Sequence, residues 1–327
     1  MNRLLSVFVA WLVLAGGQDA PAAEIWLSGV PSGLRQRMFQ ESESDYFELF
    51  KPEAAWSKSA QHVKVFQFNG VLHQSDDELK AMFADLKRRH ITLATEMGLL
   101  TGKDGSGQQA CGVGVEGFGA SDATRAIAER IKKNGGELRY VAMDEPLFYG
   151  RYFKGKNACQ WSMSDVARDI APRAAILREI FPSVEIGDVE PVGAAQNMPP
   201  DWVGQIAQWI QVYQQVVGQK LSFFRADVAW TSPWQQQLAA VKRLAHARGM
   251  KFSVIYDGGG SKQENDILWT QEAAQRFHAV ESNPSLAPDQ VIFQSWARWP
   301  HKMLPETQPG TMTNLVLKYV EANYGRR

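Results

Sequence analysis

The chain repeats one local pattern along most of its length. A short apolar run of strand length is followed by a segment whose apolar residues recur at helical spacing. The strand-like runs are 24–30, 63–68, 91–98, 137–146, 183–191, 221–230, 251–257 and 289–296. After the second run, Ser75 and Glu78 form a capping box ahead of Leu79, Met82, Phe83 and Leu86, which lie on one helical face. Helices are also predicted over 121–133, stopped by Gly135-Gly136, over 164–180, stopped by Pro182, and over 201–217. Ser232-Pro233 reads as the cap and first residue of a helix after the sixth run, and a last helix is expected over 314–322. The stretch 31–61 is polar and aromatic without clear periodicity, which predicts a long loop or short irregular helices after the first strand.

Eight strands alternating with helices in one series predict an α/β fold, a single closed (β/α)8 TIM barrel, over an open doubly wound sheet. An open sheet binding a dinucleotide would carry Gly-x-Gly-x-x-Gly after its first strand. The nearest glycine cluster, Gly112 to Gly119, follows Cys111 in a loop and lacks that context. Arg3, the apolar run 4–14 and the small residues Ala20-Pro21-Ala22-Ala23 read as an export signal over 1–23, leaving 24–327 as the barrel domain. The expected location is periplasmic or secreted, with no membrane anchor after cleavage and a monomeric chain. The 35 basic and 35 acidic residues cancel, so bulk charge attracts neither nucleic acid nor an anionic membrane.

Acids close several of the predicted strands. Their carboxyl ends present Asn69, Glu96, Glu145, Glu190, Asp227, Asp257 and Trp296 to one shared mouth. A single acid there is solvated or paired, and Arg225, two residues before Asp227, is a candidate partner. Five acids around one mouth raise one another's pKa, which is the condition for moving a proton. Glycoside hydrolysis needs one carboxyl kept protonated and a second one ionised. Glu145, Asp257, Glu190 and Asp227 are the candidates for that pair. Asn69, Glu96, Tyr149, Trp230, Tyr256, Gln294 and Trp296 are the candidates for holding substrate. Aromatic rings stack on the C–H faces of sugars, and Phe148, Tyr149, Tyr152, Phe153, Trp161, Trp234 and Trp299 lie in the loops that follow these strands. Trp234 and Phe153 are the first of them to assign to loop packing instead.

The Asp144-Glu145-Pro146 end of strand four resembles the Asn-Glu-Pro that ends strand four in the large clan of barrel glycosidases. The Gln294-Ser295-Trp296 end of strand eight is similar to the place where many of those enzymes set a Trp under the sugar. The resemblance implies Glu145 as general acid/base, Trp296 as the floor beneath the cleaved bond, an oligo- or polysaccharide substrate and no cofactor. It departs at Asp144, where that clan has Asn, and at Tyr256-Asp257-Gly258, where it places a nucleophilic Glu. The second carboxylate is then Asp257, Glu190 or Asp227, and retention or inversion follows from its distance to Glu145.

Cys111 and Cys159 fall in the loops after strands three and four, neighbours on one barrel face. They form either a bridge pinning two walls of the mouth or two separate thiols. Two other functions fit the same pattern. A metal-dependent sugar isomerase or lyase would use strand-end acids to hold a hard cation, but it would need a Lys or His at a strand end, and none is there. A non-catalytic carbohydrate-binding barrel would need the aromatics without the acid.

Overall fold

The apolar runs form eight parallel strands. In the computed structural model, which describes residues 22–324 apart from 42, 104–105, 195–196 and 260–264, these are β1 (Glu24–Ser28), β2 (Val63–Gln67), β3 (Thr92–Met97), β4 (Leu138–Met143), β5 (Glu185–Val192), β6 (Phe223–Val228), β7 (Lys251–Tyr256) and β8 (Gln290–Phe293). They pair in sequence order, and β8 closes on β1 to complete the barrel. The expected export signal lies outside the described residues except for Ala22 and Ala23.

Strand alternation divides the core in two. Inward residues Trp26, Val65, Ala94, Ala142, Val189, Phe223, Ile255 and Ile292 form one apolar cluster inside the barrel, with Tyr140 packed against it. Gly187 is needed for this floor. A Cβ there would sit 2.3 Å from the Phe223 ring, so a side chain at 187 would evict the ring. Outward residues such as Ile25, Phe66, Val141, Met143, Ile186, Phe224, Val254 and Phe293 bury against the helical layer. Each such side chain stabilises the fold by roughly 1.5–3 kcal/mol.

The helical layer comprises α1 (Ser32–Phe39), α2 (Ser57–Ala60), α3 (Asp76–Arg88), α4 (Ala123–Lys133), α5 (Met163–Ile180), α6 (Trp202–Val217), α7 (Gln235–Ala247), α8 (Asp266–Glu281) and α9 (Met312–Asn323). The first two, with a tight turn at Tyr46–Phe50, make the stretch after β1 a set of short irregular helices. The Ser75–Glu78 capping box is present in both directions, with Glu78 N donating to Ser75 Oγ at 3.2 Å and Ser75 N to Glu78 at 2.9 Å. Among the described residues no helix is long and apolar enough to cross a membrane.

One local expectation is corrected, and one helix was not foreseen. Ser232 does not cap α7, which begins at Gln235 without a side-chain cap. Its hydroxyl instead donates to Ala229 O at 2.7 Å and accepts from Ala194 N at 2.9 Å, tying together the loops after β5 and β6. The segment between β7 and β8 holds the full helix α8, capped by Asn265. Its signal was Trp269, Ala273, Phe277 and Val280, all buried and at helical spacing.

Candidate active site

Above the apolar floor lies a polar layer built from the next inward residue of several strands. Arg225, fully buried, sits 4.5 Å over the Trp26 ring and donates to Gln67 Oε1 at 2.6 Å. Gln67 donates to Gln294 at 3.1 Å, and Gln294 donates to Glu96 at 2.8 Å. Arg225 Nη1 is 3.9 Å from Glu96. Arg225 is therefore the counter-charge of Glu96 and not of Asp227, the partner its place in the sequence suggested. Burial lowers the Arg225 pKa to about 10, against the opposing pull of Glu96. Asn69 accepts from Glu96 N at 3.0 Å, bracing the end of β3.

Glu145 departs from strand geometry. Regular alternation would put it with Val141 and Met143, facing the helices. β4 ends at Met143, and Glu145 adopts φ +43°, a left-handed conformation that non-glycine residues seldom take. That turn sets its carboxyl beside that of Asp227 from β6, near enough for each to act on the other's proton. The turn is held from behind. Glu190 accepts from Leu147 N at 2.6 Å and Phe148 N at 3.0 Å, and Tyr149 N donates to Glu145 O at 3.0 Å. Glu190 is fully buried on the outward face of β5 and so does not line the mouth.

Burial, then the charges of Asp227, Glu190, Glu116 and Asp144, push Glu145 well above the usual carboxylate range. Burial and then Asp257, Glu96 and Glu116 raise Asp227 to about 7. Asp144 is also driven well up, by burial and then by Glu96 and Glu116, against a bond from the Gly117 N–H. Asp257 differs in having compensation. Trp230 Nε1 donates to its Oδ1 at 2.7 Å, Arg276 Nη1 lies 2.8 Å from the same oxygen, and both oppose the upward push of burial. Arg276 also stacks 5.2 Å over the Trp230 ring.

Of the expected substrate contacts, Trp296 is 45% exposed and Trp230 half-buried. Tyr149 donates to Glu116 at 2.5 Å. Trp234 is buried, and Phe153 packs on the core. Tyr256 is a correction. Ser253 and Ile255 face inward, so Tyr256 faces outward, is fully buried, and donates to Glu281 of α8 at 3.0 Å. Tyr319 donates to the same carboxyl at 2.9 Å. Burial nevertheless raises Glu281 to about 7 from an ordinary value of 4.5. The folded chain therefore holds a proton there that the unfolded chain releases, and stability falls as pH rises from about 4.5 to 7. Tyr256→Phe removes one donor to the carboxylate and is expected to cost about 1 kcal/mol more at pH 8 than at pH 5, because a group that ionises near 7 gains no more than about 1.4 kcal/mol from ionising by pH 8. Melting temperatures at the two pH values check this, and an equal loss at both would contradict it.

Cys111 and Cys159 are bonded to each other. The sequence reading missed Glu116, Arg276 and the part played by Gln67. Glu116 had one available signal, a lone acid in the glycine-rich run after Cys111. Among the described residues no group of three or more His, Cys, Asp or Glu is arranged to hold a metal ion.

No protein-family model matches the sequence, and no curated protein matches it. Solved structures do match over almost the whole chain. A GH10 endoxylanase retrieved from a sugarcane soil metagenome is 9% identical, with TM-score 0.52 over 91% of this chain and 96% of that one. A structure of two fungal beta-1,4-galactanases gives 9%, 0.50, 90% and 99%. The carboxyl transferase domain of Rhizobium etli pyruvate carboxylase gives 10%, 0.53, 92% and 43%. At such identities the likeness establishes the fold, a (β/α)8 barrel of the kind glycoside hydrolases and other enzymes use, and leaves the chemistry to the site.

Proposed function

We propose that the chain is an exported glycoside hydrolase with Glu145 as its general acid. The observation that carries this reading is the left-handed turn that sets Glu145 beside Asp227 at the barrel mouth, in surroundings that hold a proton on the pair. A general acid must be protonated at the working pH, and burial beside like charges supplies that condition. Asp227 is the acid whose charge acts most strongly on Glu145, so it is assigned as the partner that shares the proton of Glu145. Asp257, with Arg276 and Trp230 on one oxygen, is the acid best compensated as an anion, and it takes the second role.

On this reading Glu145 protonates the glycosidic oxygen as its bond to the anomeric carbon breaks. Asp257 supports the opposite face of the sugar, either by attacking that carbon or by taking a proton from the water that does. The anomer released distinguishes the two. Trp296 and Trp230 offer flat rings at the rim, and the bonded cysteines suit an oxidising compartment. The test is release of reducing ends from xylan, galactan, β-glucan and chitosan, with the first-formed anomer followed by NMR. Turnover of one of them is the expected result. Binding without turnover of any would favour a carbohydrate-binding barrel and sink the hydrolase.

A further inference from the structure

We propose that Glu116 is a positioning residue for the acid pair: its carboxylate, hung over the barrel mouth, keeps the transferable proton on Glu145 and Asp227. Glu116 lies in the loop between β3 and α4, and three independent ties bring that loop onto the end of β4. The Cys111–Cys159 bond joins it to the loop after β4. Gly112 N donates to Asn157 O at 2.7 Å, and Asn157 Nδ2 donates to Val113 O at 2.7 Å. Gly117 lies so close to β4 that a Cβ would meet Asp144 O at 2.6 Å, and its N–H reaches the Asp144 carboxyl. Residue 116 is therefore delivered beside Asp144 and Glu145. Tyr149, four residues past Glu145, then fixes its carboxylate with a 2.5 Å bond.

Glu116 itself is exposed. It therefore faces the mouth at little desolvation cost while its field reaches Asp144, Glu145, Asp227 and Glu96. The other charged groups around the pair are Asp144 just after β4, Glu190 on β5, Glu96 on β3 and Asp257 just after β7, with Arg225 beside Glu96 and Arg276 beside Asp257. Both cations are already engaged by a carboxylate, so neither offsets Glu116.

The effect on turnover rests on the hydrolase reading, whereas the effect on the proton does not. E116Q removes a negative charge, so the pair should ionise at lower pH, by about half a pH unit or more. Infrared titration of the resting protein reads this directly, with E145Q subtracted to assign the carboxyl bands. The alkaline limb of kcat/KM against pH should shift down by the same amount, while E116D, which keeps the charge, should restore both. A shifted titration in a protein that turns over no glycan would uphold the role of Glu116 and end the hydrolase reading. A titration that E116Q leaves unmoved would overturn the inference whatever the turnover.

Discussion

Glu145→Gln is expected to lower glycan turnover by about 10²–10⁴-fold while binding is kept, because the amide fills the same space and cannot give up a proton. The same substitution is expected to raise the melting temperature at pH 8. The folded protein holds Glu145 far above its ordinary value of 4.5, so above that value wild type loses stability with rising pH, because the unfolded chain releases a proton that the folded chain keeps. Glutamine has no such dependence, and its advantage should grow from pH 5 to pH 8. Gain of stability with loss of rate is the pattern of a residue retained for chemistry. Turnover within tenfold of wild type would remove Glu145 from the mechanism.

Glu190→Ala should lower both rate and stability. Two buried N–H groups, of Leu147 and Phe148, would lose the carboxylate that accepts from them in the turn. An unmet buried donor costs about 1–3 kcal/mol, so a loss of roughly 2–6 kcal/mol is expected by denaturant unfolding. With the brace gone, the left-handed turn at Glu145 can relax to the regular strand and swing the acid toward the helices, at a further cost of about 100-fold in rate. Glu190→Gln keeps one acceptor oxygen and should fall between. If Glu190→Ala lost stability at unchanged rate, the brace would be holding the barrel and not the acid.

The barrel was legible because eight apolar runs at regular intervals leave a chain few other ways to bury them. Helix α8 was not read, since its buried residues are separated by polar ones and its hydrophobic face is narrow. Strand parity was the most useful rule in the site and also the one that failed there. It separates Tyr256 from Asp257 and sets Glu190 on the outer face of β5, which a stricter reading of alternation would have found. At Glu145 parity gives the wrong face, because the chain leaves strand geometry at that residue and only the bonds from Glu190 and Tyr149 explain how it stays there. Glu116 was beyond any periodic reading, since a loop's position comes from its crosslinks and close glycine contacts.

The rings of Trp26, Tyr140 and Phe223 pack across the lower end of the barrel with centroids 5.0–6.3 Å apart, Phe223 edge-on to the other two and Trp26 tilted against Tyr140. The cylinder is thus a cup with a sealed bottom, not a tunnel. Whatever reaches the carboxyls arrives from above and must leave by the same end of the barrel.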